Sequence, residues 1–361
     1  MFVAWRDLKF AKGRFALMGA VIVLITLLVG LLSGLTAGLG RQNVSAITGL
    51  PADRIAFAAP GGGQSLSYAS STITEKQWRQ WAGTAGVTAA EPLGIAITRA
   101  TAGDRSTGVS VFGVRPGSHL APDGGRIDEH SAVLSTTAAD DLGLKPGDTF
   151  SAAGQTLTVS AVQGDASFSH TPVIWTALDV WQKAAPRTGD RDGPIASVIA
   201  LDTTSGADVP AADRAAGTST VTKDDSLSAI GSYTSENGSL QLMRGFLFAI
   251  SALVIGAFFT VWTIQRSGDI AVLKALGAST AHLLKDALGQ AVVLLAGGTL
   301  VGSGIAAGLG ALIGSAVPFL LTPSTVVVPA AVMILLGALG AALSIRRITS
   351  VDPLTALGSA R

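Results

Sequence analysis

The sequence predicts an integral membrane protein, with four transmembrane α-helices and a large α+β extracytoplasmic domain inserted between helices 1 and 2. Three observations predict it. Residues 15–40, 245–264 and 287–345 contain no ionisable side chain. A polar segment of roughly 200 residues, long enough to bury its own core, separates the first two of these stretches. The chain is 48% hydrophobic and 14% charged, with a mean hydropathy of +0.50. That is too apolar for an ordinary soluble enzyme and too mixed for a protein that is all membrane.

Residues 1–14 form an amphipathic cytoplasmic segment carrying Arg6, Lys9, Lys12 and Arg14. The first span is residues 15–40. Its apolar stretch exceeds the usual length of a signal-peptide core and no clear small-x-small site follows at the right place, so it is expected to stay in place. Residues 241–264 form the second span. The third apolar run is too long for one crossing of about 20 residues. Pro318 and Pro323 divide it into spans at 287–316 and 325–345, because proline cannot extend a helix freely. Arg266, Lys274 and Lys285 lie between spans two and three, and Arg346 and Arg347 open the tail at 346–361. The excess of Lys and Arg on these short flanks puts both termini in the cytoplasm, in the cell membrane.

The inserted segment, residues 41–240, shifts at once to Asp, Thr, Ser and Gly. "TGVSVFGV" (residues 107–114) and "TLTVSAV" (residues 156–162) read as strands. "KPGD" (residues 145–148) is turn chemistry. "TEKQWRQWAG" (residues 74–83) and "STTAADDLGL" (residues 135–144) read as short helices, each opened by a capping Ser or Thr. Together they suggest antiparallel strands with helices packed on them. Residues 202–225 are polar and read as a loop or a weakly ordered edge. Trp78, Trp81, Trp175 and Trp181 are expected in this domain's core.

Several functions are excluded. Net charge is +1, so nucleic acid is not a partner, and no cysteine is present to supply a thiolate or a disulfide. There is no G-x-x-x-x-G-K-[ST] and no Gly-Lys dipeptide, so any ATP must bind a separate subunit. His119, His130, His170 and His282 lack metal-ligand spacing, and no G-x-S-x-G is found. Asp140 and Asp141 read as a solvated face. No intrinsic cofactor, metal site or catalytic residue is expected, and the chain is not read as an enzyme.

Residues 265–286 join two spans through "QRSGDIAVLKALGAS" (residues 265–279). Ile270, Leu273 and Leu276 with Gly277 recur at helical spacing as an apolar ridge, flanked by Arg266, Asp269 and Lys274. Gly277 and Ser279 end the helix. Such a ridge can seat on a partner protein or lie in the lipid headgroup layer. Gly30, Gly34 and Gly38 share one face of span one. Gly298/Gly302, Gly304/Gly308 and Gly310/Gly314 repeat the spacing in span three. Small residues so placed let helices approach closely in lipid and hint at a partner copy, although Gly and Ala are abundant throughout the chain and such pairs also arise by chance.

Three segments, in order along nearly the whole chain, carry a resemblance. "AVLSTTAADDLGLKPGDTFSAAGQTLTVSAV" resembles the external-domain signature of MacB/FtsX-type ABC-transporter permeases. "RSGDIAVLKALGAS" resembles that family's "R..EIG.LRALGA", with Asp269-Ile270-Ala271 replacing Glu-Ile-Gly, and "RRITSVDPLTALGSAR" resembles its closing segment. "SHTPVIWT" (residues 169–176) and "GLPADRIAFA" (residues 49–58) bring it nearest to the HrtB-like heme exporters.

The resemblance implies a homodimer of this chain in membrane lipid, with two copies of an ABC ATPase subunit beneath it. Residues 265–286 would then be the coupling helix. Heme would be the transported substrate, met where spans and external domain join. Candidate contacts are Arg41, Phe168, His170, Tyr233, Glu236, Met243 and Arg244, with arginine for propionates and Tyr233 or Met243 for iron. Each has an ordinary alternative as interfacial anchor, gap filler or core residue. Two other outputs stay open. One is an FtsX-like force transmitter that regulates an extracellular cell-wall hydrolase. The other is export of peptide, antibiotic or lipid.

Overall fold

The computed structural model describes residues 12–122, 127–184, 193–265, 268, 272, 277, 279–314 and 317–349. In chain order the helices are α1 (Lys12–Thr48), α2 (Glu75–Ala82), α3 (Thr136–Leu142), α4 (Leu178–Ala184), α5 (Val209–Ala216), α6 (Tyr233–Gln265), α7 (Thr280–Ile313) and α8 (Pro323–Thr349). The strands are β1 (Arg54–Ala58), β2 (Val87–Ala102), β3 (Arg105–Val114), β4 (Ser131–Leu134), β5 (Thr149–Ala152), β6 (Gln155–Val162), β7 (Ser167–Phe168), β8 (Thr171–Ala177), β9 (Val198–Thr203) and β10 (Thr218–Thr222). The chain divides into two compact units, Met1–Leu39 with Gly238–Arg361, and Gly40–Asn237.

Four helical stretches are long and apolar enough to cross a membrane: Ala16–Thr48, Tyr233–Gln265, Ala287–Ile313 and Pro323–Leu343. Helices suit that environment because every backbone polar group is met internally. Leu253 and Leu300 project outward, each 73% exposed, as residues that meet lipid would. Ile22, Val29, Phe259, Trp262 and Leu295 fill the interior. The break between α7 and α8 includes Pro318. Pro323 then opens α8, where its missing N–H costs nothing. Thr322 caps that helix by accepting from the Thr325 N–H at 3.3 Å.

Most of the glycines noted above pack inside the chain. A methyl group at Gly30 would sit 2.9 Å from the Ala306 Cβ, and one at Gly298 would sit 2.7 Å from the Ile22 side chain. Gly34 and Gly310 both receive the Phe319 ring, and Gly38 lies against the Pro318 carbonyl. Gly302 meets the Val23 carbonyl and Thr26. Gly304 and Gly308 alone of that set face open space. Most of the i,i+4 pattern therefore reports contacts within the chain, between α1, α7 and the proline break.

The second unit is built on a ten-stranded sheet in the order β10-β1-β9-β2-β3-β8-β4-β6-β5, with β7 on β8. Strand β5 also pairs with β2, through Ala100 with Ala152 and Thr101 with Ser151, so this part of the sheet closes on itself. Val111, Leu134, Phe150, Leu157 and Ile174 fill the closed part. The expectation of antiparallel strands needs correction, because β3–β8 and β4–β6 are parallel. Residue alternation reports which face is buried and says nothing of direction. The parallel pairs follow from the long crossovers, including α3, that the chain makes before returning.

Local chemistry sets the element ends. Thr74 and Gln77 form a reciprocal capping box on α2. Ser135 caps α3, and Gly143 ends it in the left-handed region with φ 69°. Asp140 and Asp141 are exposed on that helix. Trp81, Trp175 and Trp181 are buried.

Residues 202–225 also depart from expectation: they hold α5 and the edge strand β10. The polar side chains there act as fasteners. Asp208 caps α5 by accepting from the Ala211 N–H at 3.1 Å. Asp213 accepts from the hydroxyls of Thr218 and Thr220, each at 2.7 Å, and from the Thr220 N–H at 3.0 Å.

Candidate functional site

Three pieces of the Gly40–Asn237 unit converge: the last turns of α1, the β7–β8 hairpin and the first turn of α6. The hairpin turn is Ser169–His170, and both residues have positive φ, 49° and 63°. A two-residue hairpin loop of this kind normally carries Asn-Gly, because side chains with a Cβ are strained there. Ser and His in this conformation cost on the order of 1–3 kcal/mol each.

The surroundings hold the turn in place. The N–H groups of Ser169 and His170 donate to the carbonyls of Asn43 and Gln42 on α1, at 3.0 and 3.2 Å. Ser45 Oγ accepts from the Ser167 N–H at 2.9 Å. Beside them the exposed Arg41 pairs with Asp165 at 2.8 Å. A strained turn so heavily anchored places His170 in one position.

From there, His170 Nε2 lies 2.7 Å from Glu236 Oε2. Asn43 Nδ2 donates to the same carboxylate oxygen at 2.9 Å and to Ser232 Oγ at 3.5 Å. Glu236 is in the first turn of α6, where a carboxylate is favoured by the helix dipole. The His170 and Glu236 side chains are 33% and 40% exposed, so an incoming ligand can reach the pair. Asn43 is 2% exposed, and its Oδ1 has no partner among the described residues. The arrangement offers a carboxylate and an imidazole on a frame tethered through the buried Asn43.

The other expected residues are placed differently. Phe168 is a core residue, 5% exposed, stacked edge-on against Tyr68 at 5.6 Å and Phe112 at 5.7 Å. Tyr233 packs against that same core. Met243 and Arg244 lie farther along α6. Met243 is exposed, and the Arg244 guanidinium sits over the Phe248 ring at 5.9 Å. Asn43 was missed by sequence reasoning. Its signal was an Asn following an apolar run, which reads as an ordinary helix end.

Among the described residues no group of three or more His, Asp or Glu could hold a metal ion. Of the residues singled out in the segment read as a coupling helix, Gly277 is described, exposed and at φ 91°, which suits a helix-ending glycine, and residues 280–286 of that segment already belong to α7. Arg266, Asp269, Ile270, Leu273, Lys274 and Leu276 lie outside the described residues, as do residues 1–11 and 350–361.

Comparison with known families decides the class. A MacB-like periplasmic core domain model matches residues 15–219, and an FtsX-like permease C-terminal model matches residues 242–353. The chain belongs to the MacB/FtsX family of ABC-type permeases. This permease is 26% identical, over 99% of both chains, to a protein of Staphylococcus haemolyticus named as a hemin transport system permease protein, HrtB. It is also 26% identical, over 99% of both chains, to an uncharacterized ABC transporter permease of Mycobacterium tuberculosis strain H37Rv. The periplasmic region of MacB from Actinobacillus actinomycetemcomitans is 11% identical, with a TM-score of 0.36 over 50% of this chain and 94% of that one.

Proposed function

We propose that this permease exports heme, or a similarly amphipathic compound, driven by a separate ATPase subunit. The observation that carries this reading is the solvent-reachable His170–Glu236 pair, tethered through the buried Asn43 at the start of α6. The named relatives support it, since one that matches the full chain is called a hemin transport permease.

In this reading ferric heme approaches the cluster, and the Glu236 carboxylate or the His170 imidazole takes the iron. Either event breaks the 2.7 Å bond between them and frees the hairpin turn from α6. Arg41 releases Asp165 to meet a propionate, and the exposed ion pair it gives up is worth little. Tyr233, Met243 and Arg244 on α6 are further candidate contacts, Arg244 for the second propionate. Phe168 would act as a rigid wall behind the turn.

Residues 265–286 would dock on the ATPase, with Leu273 and Leu276 as the apolar ridge. Two copies of this chain and two of the ATPase would form the machine. Both termini would lie in the cytoplasm, and ATP would bind the partner only.

Titration of the detergent-purified permease with hemin, followed in the Soret band, tests the reading. Wild type should show a saturable shift. Glu236→Gln and His170→Ala should each weaken binding by about 10–100-fold, the usual effect of losing a group in or next to a metal's ligand set. A wild-type titration without saturation removes heme as cargo.

A further inference from the structure

The MacB-like unit contains a cleft of about 660 Å³, within the range of small-molecule sites. It adjoins the His170–Glu236 pair. Phe168 and Ser169 of the hairpin line it, and so does Ser232. Asn43 Nδ2, which donates to Glu236, also reaches Ser232 Oγ at 3.5 Å. The Ser232 carbonyl accepts from the Glu236 N–H at 3.0 Å.

Strand β2 supplies another part of the wall through Ile95 and Ile97. Ile97 pairs with Ser110 across the β2–β3 ladder, so the two side chains leave the sheet on one face. On that face Ser110 Oγ donates to the Phe168 carbonyl at 3.2 Å and lies 2.6 Å from Thr171 Oγ1. The β2 wall and the hairpin that carries His170 therefore lie on the same side of the sheet. Ile97 is 57% exposed, which puts a large aliphatic side chain where solvent and ligand can reach it.

Charge separates the two parts of this surface. Beside the hairpin turn stand Glu236, His170 and the exposed Arg41. In the cleft, none of the described lining residues carries a charge. Tyr68 lines it as a neutral phenol, because burial pushes its pKa far above the usual range. Ser70, Thr72, Ser169 and Ser232 add hydroxyls to the aliphatic and aromatic wall. Hydroxyls can donate to a carboxylate but cannot neutralise it, so an ionised group that left water for this cleft would find no counter-charge.

Heme carries the same division. Its propionates sit on one edge of the macrocycle and its vinyl groups on the other. We infer that the cleft receives the vinyl-bearing edge of the cargo while the propionate edge stays at Arg41, and that it selects among tetrapyrroles by the charge on the entering edge. The inference rests on the heme reading above and adds to it an orientation and a specificity.

Hemin and coprohemin test it. Coprohemin is the iron porphyrin in which propionates replace both vinyl groups. Each would be titrated into the detergent-purified full-length permease and followed in the Soret band. Wild type should bind coprohemin at least about tenfold more weakly than hemin, because a carboxylate must enter the uncharged cleft. Ile97→Glu should weaken hemin binding by about tenfold, and Thr72→Glu, also exposed on the lining, should do the same. Ile97→Lys offers the extra propionates a cation and should tighten coprohemin several-fold, a gain that a misfolded variant cannot give. If hemin saturates the wild type but binds no more tightly than coprohemin, the cleft's role is overturned and the heme reading stands. An Ile97→Lys variant with the wild-type preference has the same meaning. Hemin that fails to saturate the wild type overturns both.

Discussion

Replacing Gly38 by valine is expected to destabilise the permease severely. At this point α1 runs against the proline break between α7 and α8 so closely that a Cβ at residue 38 would collide with the Pro318 carbonyl. The contact is more than steric. One turn earlier, the Gly34 carbonyl accepts from the Leu320 N–H at 3.0 Å, which helps satisfy backbone that has left helical geometry inside an apolar environment. A branched side chain at residue 38 pushes these segments apart, opens that hydrogen bond and disturbs the seat of the Phe319 ring on Gly34 and Gly310. Backbone has no rotamer to escape into, so the cost should be at the upper end of overpacking effects, about 3 kcal/mol or more. A protein with a total stability of roughly 5–15 kcal/mol loses much of its margin that way. Size-exclusion profiles after a heating series in detergent would measure it. Gly19→Ala, where the added Cβ meets nothing within 4 Å, should behave as wild type.

Leu273→Glu should abolish coupling while leaving the permease folded. If residues 265–286 seat on the ATPase through an apolar ridge, a carboxylate in the middle of that ridge must be buried unpaired or held out of the groove. Burying a lone charge costs far more than the apolar contact supplies. Either outcome breaks the path along which force passes. Hydrolysis by the co-purified ATPase should persist at its basal rate, and stimulation by hemin should fall more than tenfold. The variant's heat stability should match wild type. Full coupling in Leu273→Glu would mean that this segment is not the docking element.

Much of the architecture was legible because lipid imposes a simple rule: ionisable groups vanish for the length of a crossing. Residues 287–345 lack charge throughout, and the two prolines at 318 and 323 showed where one apolar run must become two helices. Thr74, Ser135 and the KPGD turn were legible for the same local reason, since each side chain or backbone preference acts within four residues.

The sheet was harder to read. Which strand lies beside which is decided by contacts far apart in sequence, so the parallel pairing of β3 with β8 and the closure of β5 on β2 left no local mark. The glycine stripes were misleading in a different way. Spacing shows that a helix face can be approached closely, and it cannot show that Phe319 and Pro318 of the same chain do the approaching. At the candidate site, Glu236 could be suspected from its place just ahead of span two, and His170 from the "SHTP" stretch. Asn43 could not, because its role depends on a hairpin more than a hundred residues away. The strain at Ser169–His170 was equally invisible, since nothing in "SFSHTP" requests positive φ.

The central claim is that this permease handles heme through the cluster at the start of α6 and that hydrolysis by its partner responds to it. The most direct measurement compares hemin-stimulated ATP hydrolysis for the wild-type complex and for one carrying Glu236→Gln, each in lipid nanodiscs. Saturable stimulation of the wild type, with the half-maximal hemin concentration raised at least about tenfold in the variant, is the predicted result. A wild-type rate indifferent to hemin, or identical curves for the two complexes, would contradict it.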